Sequence, residues 1–150
     1  MRECHPAGAG NPAEGEPLLH MRVPALAGGL KDIRDAVRKA VLGCGCSDAV
    51  TGDIVIAVDE ACQNIVRHAY AGEPGGEFIV EIRRDGDSMV VLLRDFARVV
   101  DPNSIRPRKL DDLRPGGLGT HFMREIMDDV DYQEAPGTRG NLLRMVKRIA

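Results

Sequence analysis

Residues 77–84 and 88–95 are two runs of strand-forming residues, and only Asp85-Gly86-Asp87 separates them. A connection that short cannot carry a parallel crossover, which needs a dozen or more residues, so the two runs must pair antiparallel through a hairpin turn. In the first run Phe78, Val80 and Ile82 alternate with more polar neighbours, the pattern of a strand with one buried face. The second is continuously apolar from Met89 to Leu93, as a central strand would be.

The flanking segments extend this sheet. Residues 1–16 are rich in Gly, Pro, Ala and Glu without periodicity, which predicts a disordered leader ahead of one domain over 17–150. A short strand over 18–23 ends at Pro24, and Leu30, Ile33, Val37 and Ala40 then recur at helical spacing until Gly43. Ser47 is placed to cap a second, longer helix reaching Tyr70, which Gly72 and the turn at 73–76 terminate. From Phe96 to Pro115 three prolines and the cations Arg106, Arg108, Lys109 and Arg114 break any packing face, so a long functional loop is expected. A helix over about 121–128 and strands near 130–133 and 141–147 follow. The order β-α-α-β-β-loop-α-β-β predicts an α+β fold, a two-layer sandwich of a mostly antiparallel sheet with helices on one face.

Composition narrows the function. The chain has 150 residues, enough for one core without covalent staples. A net charge of −3, aromatics at 3% and no Trp disfavour a nucleic-acid partner, which wants cations and stacking platforms. No apolar run approaches a membrane span and no signal segment opens the chain, so a cytoplasmic protein with no membrane partner is expected. Cys4, Cys44, Cys46 and Cys62 do not form a disulfide framework, and reduced thiols are expected. Cys44-Gly-Cys46 lacks a second ligand pair at metal spacing.

Chemistry concentrates in three places. Glu60, Asn64 and His68 fall at i, i+4 and i+8 of the long helix and would share one face beside its apolar arc. Asn64 can offer an amide oxygen to a hard cation such as Mg²⁺, and Glu60 can serve as a base near it. A structural role is expected for His68, and Cys62 should fill core. Asp95 closes a buried strand, where a carboxylate needs a donor such as the exocyclic amine of a purine. Gly116-Gly117-Leu118-Gly119 opens a helix and presents free N–H groups to an anion. Singly, each has a plainer reading as a solvated Asn, a strand-end cap or a loop turn, and it is their conjunction that points to a nucleotide.

Arranged in this order, the motifs resemble the Bergerat-fold ATPases that include type II topoisomerases, MutL and histidine kinases, and within them the small bacterial anti-sigma-factor serine kinases. The resemblance runs from about Leu18 to the C-terminus. The stretch from Glu60 through Asn64 to Tyr70 is similar to that subfamily's N box, residues 93–102 to its first glycine box, residues 116–119 to the second and Gly140-Asn141 to the third. It implies that Asn64 holds Mg²⁺, that Glu60 is the catalytic base, and that Asp95 bonds the adenine amino group with Ala97 beside it. It further implies that Gly117, Leu118 and Gly119 approach the ATP phosphates, that Asn141 contacts the nucleotide, and that residues 96–115 form the lid. Two positions depart from the pattern. Ala97 and Val99 replace glycines of the first box, at a cost of about 1 kcal/mol wherever φ must be positive, and Asn141 stands where Thr is usual.

The implied activity is ATP-dependent phosphorylation of a Ser or Thr on a small antagonist protein, coupled to sequestration of a sigma factor or another regulator, by a protein expected to be a homodimer. The alternative is an adaptor that holds nucleotide, or none, and acts by contact alone. A sensor histidine kinase is disfavoured, because the short leader has no room for a dimerisation helix.

Overall fold

The computed structural model describes residues 16–69, 75–97, 123–134 and 140–149. The leader up to residue 15, most of the expected lid and Gly116–Gly119 lie outside the described residues.

Five strands form one sheet in the order β1-β2-β3-β5-β4, and every neighbouring pair is antiparallel. They are β1 (Leu19–Pro24), β2 (Glu77–Asp85), β3 (Ser88–Asp95), β4 (Asp129–Glu134) and β5 (Asn141–Arg148). The hairpin expected from Asp85-Gly86-Asp87 pairs Asp85 with Ser88, and β3 takes the central position that its apolar run predicts. β1 ends at Pro24, its last residue, as expected; it is an edge strand, where a missing N–H costs no ladder bond.

Helices α1 (Leu30–Gly43) and α2 (Asp48–Asn64) cover one face of the sheet. Ser47 caps α2 as expected, its hydroxyl accepting from the Val50 N–H at 3.1 Å. Phe78, Val80 and Ile82 of β2, Val91 and Leu93 of β3 and Met145 of β5 bury their side chains against Ile33 and Val37 of α1 and Ile54, Val58 and Ala61 of α2. That is the alternating inner face of a two-layer α+β sandwich. Met123 and Met127 join the same core from a segment whose residues 123–126 are helical. Across the helices, Arg34 of α1 donates to Asp59 of α2 at 3.0 Å.

The long helix differs from its expected form in one respect. Regular α geometry stops at Asn64, and Ile65–Ala69 continue as a π-helical turn. Along the helix Glu60 and Asn64 are half-buried, whereas His68 is exposed. Cys46 and Cys62 are free thiols, whereas Cys44 is disulfide-bonded, a departure from the reduced state expected of all four cysteines. Among the described residues no helix is long and apolar enough to cross a membrane.

Candidate nucleotide site

The inner face of β3 is apolar until its last residue. Asp95 is 6% exposed, one of two buried polar residues beside the apolar core among the described residues, and it stands directly across from Asn141 at the start of β5. Three donors converge on one oxygen of its carboxylate. Oδ1 accepts from the Ala97 N–H at 3.0 Å, from the Asn141 N–H at 3.3 Å and from the Asn141 side-chain Nδ2 at 3.0 Å. Among the described residues none donates to Oδ2. One oxygen of the carboxylate is thus saturated by the fold, and the other has no donor among the described residues and can accept from a ligand.

Gly140 makes this approach possible. Its φ of 125° is closed to other residues, and a Cβ there would collide with the Asp95 backbone carbonyl oxygen. Sequence reasoning attached Gly140 to the third glycine box without giving it a task; the available signal was its place immediately before a strand. Ala97 contributes through its backbone N–H, and its methyl is tolerated in a buried setting.

Glu60 and Asn64 lie on α2, whose first half is tied to β5. Lys147 of β5 pairs with Asp53 of α2 at 3.1 Å and donates to the Ile126 carbonyl at 2.7 Å, which pins the first half of α2 over the far end of β5. Asn64 lies 64 − 53 = 11 residues further along α2, about 16 Å, and Asn141 is six residues back along β5, about 20 Å. Ala61, Cys62 and Ile65 remain buried in the core beneath the sheet. Glu60 and Asn64 are both half-buried. Burial, reinforced by the neighbouring Asp59 charge, pushes the Cys62 thiol far above its ordinary range, which makes it core and not a nucleophile.

The donor set fits Mg²⁺ in one particular way. Among the described residues no group of three or more His, Cys, Asp or Glu side chains could hold a metal. An amide oxygen from Asn64, with Glu60 one turn away, suits an ion that takes few protein ligands and fills its shell from phosphates and water. Gly117, Leu118 and Gly119 lie outside the described residues.

A cavity of about 190 Å³, lined by Arg22, Gly75, Gly76, Glu77 and Phe96, is separate from this arrangement. Phe96 follows Asp95 and Glu77 precedes the inward Phe78, so strand alternation puts both on the open face of the sheet. There Arg22 donates to Glu77 at 2.7 Å, and Arg22 and Arg94 stack over the Phe96 ring at 5.0 and 4.8 Å from its centroid. That surface holds no part of the Asp95 cluster.

Comparison with known proteins gives the same picture at the level of family and fold. Residues 23–147 match the family model described as a histidine kinase-like ATPase domain. The serine-protein kinase RsbW of Bacillus subtilis (strain 168) is 30% identical over 127 residues, covering 79% of each chain. Its counterparts in Bacillus pumilus (strain SAFR-032) and Staphylococcus aureus are 29% and 28% identical and cover 87% and 89% of both chains. A crystal structure of the RsbU and RsbW domains of a Mycobacterium tuberculosis protein superposes with a TM-score of 0.65 at 19% identity. The match covers 90% of this chain and 33% of that longer one.

Proposed function

Because the chain belongs to the histidine kinase-like ATPase domain family, and because serine-protein kinases of the RsbW type match it over most of its length, we propose that it is an ATP-dependent serine/threonine kinase of the anti-sigma type. Its substrate in this reading is a small antagonist protein of the anti-anti-sigma class. A sigma factor or another regulator is the partner held or released by the switch, and a second copy of the chain completes a homodimer. The kinase domain is 17–150, and its place is the cytoplasm. The observation that carries the reading is the buried Asp95 carboxylate, with three donors on Oδ1 and, among the described residues, none on Oδ2.

Each residue has a role in phosphoryl transfer. Asp95 accepts a hydrogen bond from the adenine amino group and sets the purine in place. Asn64 would hold Mg²⁺, whose charge offsets that of the phosphates when it is bound. Gly117, Leu118 and Gly119 would bring backbone N–H groups to the same phosphates. Glu60 takes the proton from the substrate hydroxyl as that oxygen bonds to the γ-phosphorus and the bond to the ADP oxygen breaks. Positioning and charge complementarity carry such a reaction, so a small domain with one base and one metal ligand is sufficient.

The test is transfer of label from γ-labelled ATP to a purified antagonist. Wild type should label it, Glu60→Gln should slow transfer by about 10²-fold or more, and Asn64→Ala should do so through loss of Mg²⁺-dependent ATP binding. Tight ATP binding with no transfer by wild type would replace the kinase with a nucleotide-gated adaptor.

A further inference from the structure

We infer that the turn Cys44-Gly45-Cys46, between α1 and α2, is a thiol–disulfide exchange site in which the Cys46 thiol displaces the sulfur now bonded to Cys44. Cys44 is disulfide-bonded while Cys46 and Cys62 are free, so the sulfur on Cys44 lies outside the described residues. The backbone brings the two cysteines of the turn together. Gly45 has φ 89°, and the N–H groups of Cys44 and Cys46 both donate to the Val41 carbonyl, at 3.1 and 3.4 Å. Two Cα–Cα steps of about 3.8 Å, bent in this way, keep the pair inside the roughly 7 Å beyond which no disulfide closes. Cys62 is wholly buried on α2, which leaves Cys46 as the thiol in reach among the described residues.

Accessibility and charge favour this thiol over one from solvent. Cys44 is 5% exposed, so an external thiol has little approach to its sulfur, whereas Cys46 sits half-buried two residues away. Arg84 of β2 donates from Nη1 to Cys44 Sγ at 3.8 Å and is anchored through Nε on the Gly86 carbonyl at 2.9 Å. Its guanidinium lies against the sulfur that gathers negative charge during the attack. Burial raises the Cys46 thiol and the Arg84 charge works against that rise. The thiol is therefore protonated at rest and reacts because it is held next to its target. In the exchange Cys46 gives its proton to water, its sulfur bonds to Cys44 Sγ and the old S–S bond breaks; the departing thiolate then takes up a proton, with no net oxidation. In the cytoplasm proposed above, a disulfide is as a rule transient, catalytic or redox-sensing, and this one has its own displacing thiol. Exchange here needs no nucleotide.

The test takes the full chain purified without reductant, holds it in glutathione buffers stepped from oxidised to reduced, quenches by alkylation and maps the cysteines by peptide mass spectrometry. Wild type should convert its Cys44 disulfide into a Cys44–Cys46 disulfide before both thiols become open to alkylation. In Cys46→Ser and Cys46→Ala the original bond should persist about tenfold longer or more, with melting temperatures showing that each variant is folded. Arg84→Gln should slow the exchange and Arg84→Lys should restore most of its rate, a difference that lost packing alone would not produce. Three results would overturn the inference: Cys44 fully alkylated in the chain as purified, no Cys44–Cys46 disulfide in wild type at any glutathione ratio, or release of the Cys44 bond at the wild-type rate in a folded Cys46 variant.

Discussion

The two ends of β3 both turn on a glycine with positive φ, for unlike reasons. At the Ser88 end Gly86 has φ 61° and a Cβ there would meet nothing within 4 Å; the residue supplies a turn conformation and no more. At the Asp95 end Gly140 has φ 125°, and a Cβ would strike the Asp95 backbone. One end therefore asks only for a backbone angle, while the other asks for an angle, an empty volume and a set of donors on a buried carboxylate. A site in this fold sits where the demands accumulate.

The sharpest way to break that contrast is Gly140→Ala, which combines an inaccessible φ with a backbone collision. A loss of more than about 3 kcal/mol is expected, read by denaturant unfolding, together with loss of ATP binding in whatever fraction folds. Next comes Gly86→Ala, where the cost should be about 1 kcal/mol from the left-handed conformation alone. Calorimetric ATP affinity should stay at the wild-type value, and a drop in affinity there would mean that the two ends are not independent.

The smallest effect belongs to the open face, away from either end. Burial alone would raise the Glu81 carboxyl, but hydrogen bonds from His20 and Arg83, with their charges, outweigh it and hold the group below its ordinary value of 4.5. A carboxyl depressed in the folded state adds stability above the unfolded value and loses it as pH falls through the folded one. Glu81→Gln should therefore cost under about 1 kcal/mol at neutral pH. The gap to wild type should close as thermal melts are taken below pH 4.5. A gap that widened in acid would show that the contacts do not stabilise the fold.

Much of this was legible in the chain. The Asp85-Gly86-Asp87 turn and the apolar run of Met89 to Leu93 led to the antiparallel sheet with β3 at its centre, because turn length and side-chain alternation are local properties. Ser47 as a cap and Glu60 with Asn64 on one helical face follow from spacing alone. The π turn at Ile65–Ala69 was not legible, because no local residue announces it.

By itself the sequence determined the elements, their antiparallel pairing and the residue types available to a nucleotide, since each depends on neighbours a few positions away. Tertiary structure alone decided that Asn141 meets Asp95 across 46 residues and closes on one oxygen. It also decided that Gly140 must be a glycine for want of space. Those facts belong to the distance between two strand ends, and that distance exists only once the whole sheet has packed against α1 and α2.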